Sequence, residues 1–94
     1  MEKEEIKTLV LQAAQGNRAA FGALYEETGR VVYFTCLKLL ANAQLAEDIT
    51  QETFLTALQK LGTLTNPENF QTWVNRIAIN LCKMHFRGNT DPEE

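Results

Sequence analysis

Residues 46–61, AEDITQETFLTALQKL, decide how the rest of the chain folds. On a helix of about 3.6 residues per turn, Ile49, Phe54, Leu58 and Leu61 gather on one side, with Leu55 and Ala57 at its margins. That side is the expected core face. Glu47, Asp48, Gln51 and Glu52 recur at spacings of three and four, so their polar ends gather on another side of the same helix. Acids early in a helix complement the positive end of its dipole, which accounts for part of the pattern. It does not account for acids and an amide sharing a compact patch with no basic residue among them. A docking surface for a basic partner does.

Toward the N-terminus, Ala41 to Gln44 reads as a tight connection, with Asn42 placed to cap the central stretch. The helix before it is predicted from the cap Asn17 to about Leu40, where Phe21, Leu24, Tyr25, Val32, Cys36 and Leu39 keep a helical period. Gly29 sits inside that helix, which is expected to continue through it. The run VVYFTCLKLL after it is apolar nearly all round, so this helix is the expected central rod, flanked on several sides. Glu2 to Gln15 forms a shorter amphipathic helix with Ile6, Leu9, Val10 and Ala13 on one stripe, ended by Gly16.

Toward the C-terminus, Gly62 to Asn69 lacks an apolar period and is predicted as a loop. Asn66 followed by Pro67 reads as a cap and a first helical proline, opening a last helix to about Phe86. Its expected buried stripe is Phe70, Trp73, Val74, Ile77, Ala78, Leu81 and Met84. Thr72, Arg76, Asn80, Lys83 and Arg87 line up on the other side as a ridge of three cations and two hydrogen-bonding side chains, with no acid. The predicted fold is all-α, a compact bundle of about four helices over residues 1–87, with 88–94 as a polar tail or linker.

With 94 residues the chain has room for one modest core, and its apolar fraction of 45% is ordinary for a folded domain. A net charge of −3 argues against gripping duplex DNA by bulk electrostatics, so any nucleic-acid contact must be local. The acidic start MEKEEIK has no signal-peptide pattern, and no apolar run approaches the roughly 20 residues that span a bilayer. No membrane insertion is expected, and the expected address is cytoplasmic. Cys36 and Cys82 sit in apolar helical patterns without metal or redox spacing and are expected as buried, reduced thiols. A single histidine, His85, leaves too few ligands for zinc, so no metal, cofactor or catalytic site is predicted, and the chain is not read as an enzyme. Taken alone, the acid patch and the cation ridge are also what solvated helix faces look like.

Residue order changes that balance. FGALYEETGRVVY from Phe21, AEDITQETFLTAL from Ala46 and FQTWVNRIAIN from Phe70 together resemble the second conserved region of bacterial sigma factors, in particular the extracytoplasmic-function group. The middle block is the most specific, and the likeness runs from about Phe21 to Arg87. It implies an all-helical domain of an alternative sigma factor that docks on core RNA polymerase and recognises the minus-ten promoter element in transcription initiation. Glu47, Asp48, Gln51, Glu52 and Leu55 would then face the clamp helices of the polymerase's largest subunit. Thr72, Arg76, Asn80, Lys83 and Arg87 would face promoter DNA, mainly as a single strand, with Leu64, Thr65 and Asn66 in a promoter-reading loop. An anti-sigma protein is an implied partner. Three departures stand out: Arg87 is followed by GNTDPEE where many relatives carry arginines, Met84 stands where an acid is common, and Leu58 stands where a large aromatic is frequent. The competing expectation is a helical protein-interaction module or transcription regulator that uses the acid patch without touching DNA.

Overall fold

Four α-helices account for nearly all of the chain in the structure, a computed structural model that describes residues 1–90, with side chains through Phe86. They are α1 (Lys3–Ala14), α2 (Arg18–Leu40), α3 (Ala43–Gln59) and α4 (Phe70–Thr90); 3-10 turns at Leu61–Thr63 and Pro67–Asn69 link the last two. No strand occurs among the described residues, as the sequence pattern predicts.

Helix α2 is the central rod, packed against α1, α3 and α4. It runs unbroken through Gly29, which is buried; a methyl group there would sit 3.6 Å from the Tyr25 ring, an ordinary contact. Gly16 ends α1 with φ +99°, a left-handed conformation that glycine adopts without a Cβ penalty. The side-chain oxygens of Asn17 and Asn42 cap α2 and α3, accepting from the amides of Ala20 and Leu45 at 3.0 and 2.9 Å. Because Asn42 caps directly, α3 begins at Ala43 and the connection shrinks to two residues. That tight turn puts Ala41 at φ +53°.

The core joins Ile6 and Val10 of α1, Leu24, Val32 and Cys36 of α2, Ile49, Phe54 and Ala57 of α3, and Phe70, Val74, Ala78 and Cys82 of α4. Threonines complete it. Thr28, Thr50 and Thr53 are buried, and each hydroxyl donates to the carbonyl four residues earlier at 2.7 Å, so none of these three hydroxyls is left unpaired. Thr50 and Thr53 move the buried stripe of α3 onto Ala46, Ile49, Thr53 and Ala57. Leu58, expected in the core, is therefore turned out and 48% exposed.

Other expectations shift for equally local reasons. Part of α2 beyond Gly29 faces solvent: Val31, Phe34 and Leu39 are exposed, while Val32 and Cys36 are buried and Tyr33, Leu37 and Leu40 pack against the core. Met84 is in phase with Ile77 and Leu81 but 58% exposed, because nothing packs over the end of α4 there. Asn66 makes no side-chain cap; its carbonyl instead accepts from the Asn69 amide at 2.9 Å, closing a 3-10 turn before α4 starts at Phe70. This turn packs against α1, which thereby steadies the entrance to α4. At the other end α4 continues past Phe86 and through Gly88 to Thr90, since one glycine costs a helix only about 1 kcal/mol. Residues 88–90 of the expected tail are thus helical, and 91–94 lie outside the described residues.

Candidate docking and nucleic-acid interfaces

With Thr53 and Ala57 inward, Glu47, Asp48, Gln51, Glu52 and Leu55 all project into solvent. The row begins near the helix N-terminus, where carboxylates are favoured by the dipole, and Gln44 Nε2 donates to Asp48 Oδ1 at 3.4 Å. Among the described residues the single ion pair is elsewhere, between the Met1 amine and Glu27 at 3.1 Å. The acids of α3 are therefore not neutralised by the domain itself.

Apolar surface borders the row. Leu55 is 65% exposed, and with Leu58, Tyr25 and Phe21 it lines a shallow groove beside Gln51. The Phe54 ring forms its floor, edge-on to Tyr25 and Phe21 at centroid distances of 4.8 and 6.3 Å. A second groove, of about 500 Å³, follows the α2–α3 seam between Arg30 and Phe34 on one side and Glu47 and Gln51 on the other. The periodicity of α3 alone could not reveal Arg30 and Phe34 as neighbours of the acid row. Phe34 was hidden in a run that reads as buried throughout.

Thr72, Arg76, Asn80 and Lys83 are exposed on one side of α4 and share a depression of about 510 Å³ with Asn75 and Ile79. Gln71 Nε2 donates to Asn75 Oδ1 at 3.0 Å, which holds Asn75 at the edge of this depression. Asn75 and Ile79 were absent from the predicted ridge because they lie between it and the core stripe. The side chain of Arg87 lies outside the described residues. In the approach to α4, Leu64 packs against the core while Thr65 and Asn66 are exposed. Trp73 is half-buried against Phe70, at 5.9 Å between ring centroids.

Chemically, one helix offers carboxylates, an amide and leucines, and another offers cations, an amide and a hydroxyl. The domain therefore presents two chemically different helical faces. The family pattern described as Sigma-70 region 2 matches residues 24–91, and the chain belongs to that family, as a domain of the extracytoplasmic-function kind. Among similar proteins, the ECF RNA polymerase sigma factor BldN of Streptomyces coelicolor is 39% identical, over 86% of this chain and 31% of its own length. The RNA polymerase sigma-H factor of Pseudomonas aeruginosa is 32% identical over 99% of this chain and 49% of its own. The ECF RNA polymerase sigma factor SigW of Bacillus subtilis is 34% identical over 81% and 41%. The chain thus spans a third to a half of the length of these relatives.

Proposed function

We propose that this domain docks on core RNA polymerase through α3 and contacts the minus-ten promoter element through α4, supporting transcription initiation as part of an alternative sigma factor. One observation carries the proposal: both rows face solvent, and no ion pair among the described residues ties one to the other. Glu47, Asp48, Gln51 and Glu52 would meet the clamp helices of the largest subunit, their charges steering and orienting the encounter. Leu55 and the apolar groove beside it would supply most of the affinity. On α4, Arg76, Lys83 and Arg87 would hold phosphates, while Thr72 and Asn80 would reach base edges of a separated strand. Thr65 and Asn66, with Leu64 as their anchor in the core, would form the promoter-reading loop. Opening of the duplex would draw on capture of unstacked bases.

On this proposal the domain acts in the cytoplasm, and an anti-sigma protein silences the factor by covering either face. No catalytic step is assigned to it. The test is fluorescence anisotropy of a single-stranded minus-ten oligonucleotide at low salt. Binding is expected to weaken with salt at a log–log slope of about −2, as two or three phosphate contacts require. The Arg76→Ala/Asn80→Ala double variant should lose most of it. Equal binding by that variant removes the nucleic-acid half and favours a module that uses the acid patch alone.

A further inference from the structure

The apolar surface beside the acid row continues in both directions along the α2–α3 seam. Phe21, Tyr25 and Leu58 also wall a further groove, of about 540 Å³, that runs past Gly22 to Arg18 at the start of α2. Toward the start of α3, Tyr25 and Gln51 are shared with the groove between Phe34 and Glu47. The three depressions therefore form one trough. From Arg18 to Phe34 it covers about 24 Å at about 1.5 Å per residue, the length of roughly four helical turns.

The charges along the trough are asymmetric. Glu26 and Glu47 line one end opposite Arg30, with Asp48 and Glu52 exposed beside them. Arg18 is the charged side chain of the other end and makes no ion pair among the described residues. Between the two ends the lining is apolar. Gly22 adds an independent sign of a partner. It lies within α2, where glycine weakens a helix relative to alanine, yet a methyl group there would meet nothing within 4 Å. No packing inside the domain calls for it. Its effect is to leave bare backbone in the groove wall, which another chain can approach closely.

We propose that the trough seats one helix of core RNA polymerase in a single direction, its cations over the acids of α3, its apolar stripe over Leu55 and Leu58, and a carboxylate against Arg18. This rests on the docking assigned to α3 above and extends it by a second anchor of opposite charge. A helix laid the other way would set its carboxylate among Glu26, Glu47 and Asp48 and its cations against Arg18, so both ends would repel. Gly22 sets the depth, since an apolar side chain of the partner fills the space beside it between Phe21 and Leu58. Arg18 sets the direction.

The test titrates core RNA polymerase with the wild-type chain, Arg18→Glu, Gly22→Leu, Leu58→Gln and the Asp48→Lys/Glu52→Lys pair, with melting curves as the control for folding. Arg18→Glu should lose at least about fivefold in affinity, and Gly22→Leu, which fills the groove, at least about tenfold. Leu58 is 48% exposed, so Leu58→Gln carries the groove test if Gly22→Leu fails to fold. Loss with the acid pair but wild-type affinity for Arg18→Glu and the groove variants would overturn the trough and leave docking through α3 standing. Loss with the groove variants but not with Arg18→Glu would remove the fixed direction and overturn the proposal. Wild-type affinity for every variant would remove the docking reading as well. A dimer in analytical ultracentrifugation that Gly22→Leu dissolves, with polymerase affinity unchanged, would give the trough to a second copy of the chain and overturn the proposal too.

Discussion

Phe54 and Leu55 are neighbours in sequence, and their truncations should have opposite consequences. Phe54 is 4% exposed and meets the edges or faces of two aromatic rings, whereas Leu55 is 65% exposed. Phe54→Ala removes a buried ring and leaves a cavity, a loss of about 3–5 kcal/mol. About 0.5–1.5 kcal/mol of that belongs to the ring–ring geometry, which Phe54→Leu isolates by keeping most of the volume. Leu55→Ala strips an exposed side chain and should change stability by less than about 0.5 kcal/mol. For a domain of this length, total stability is on the order of 5–14 kcal/mol, so Phe54→Ala should remove about a fifth of it or more. Urea titrations followed by far-UV circular dichroism measure all three variants on one scale. Equal costs, or a larger cost for Leu55→Ala, would mean that α3 is turned by about 100° and that its acids do not face outward.

Three further outcomes test local features of the fold. Ala41→Gly should stabilise the domain by about 0.5–1 kcal/mol in the same titrations, because φ +53° strains alanine and suits glycine. Gly29→Ala should be neutral or stabilising by up to about 1 kcal/mol, since the added methyl meets the Tyr25 ring at 3.6 Å and the helix gains propensity. The raised Cys82 pKa makes stability fall as pH rises: below 9 the thiol is protonated in both states, but between 9 and about 12 the unfolded chain releases a proton that the folded chain keeps. The advantage of wild type over Cys82→Ala should therefore narrow across that window by up to about 1.4 kcal/mol per pH unit, and a constant gap would contradict the buried thiol.

Helix number, order and most caps were legible because they rest on short-range chemistry. Asn17, Asn42 and Gly16 act on amides or dihedrals within a few residues, so their identity alone placed three helix ends. The outward direction of Glu47, Asp48, Gln51 and Glu52 was legible for a similar reason, since a period of four fixes relative angle. What failed depended on partners that hydropathy does not encode. Threonine reads as polar, yet Thr50 and Thr53 satisfy their hydroxyls within the helix and take core positions that Leu58 was expected to fill. Met84 and Phe34 are apolar in phase or in context, but whether a neighbour covers them is a tertiary fact.

The central claim is that carboxylates of α3 meet a protein while cations of α4 meet a nucleic acid. A crossed charge reversal tests it most directly. Asp48→Lys/Glu52→Lys and Arg76→Glu/Lys83→Glu are each titrated against core RNA polymerase and against single-stranded minus-ten DNA, with circular dichroism as a fold control. The first pair should lose at least about tenfold in polymerase affinity and keep DNA binding, and the second should do the reverse. Folded variants in which both reversals weaken the same partner, or neither weakens any, would contradict it.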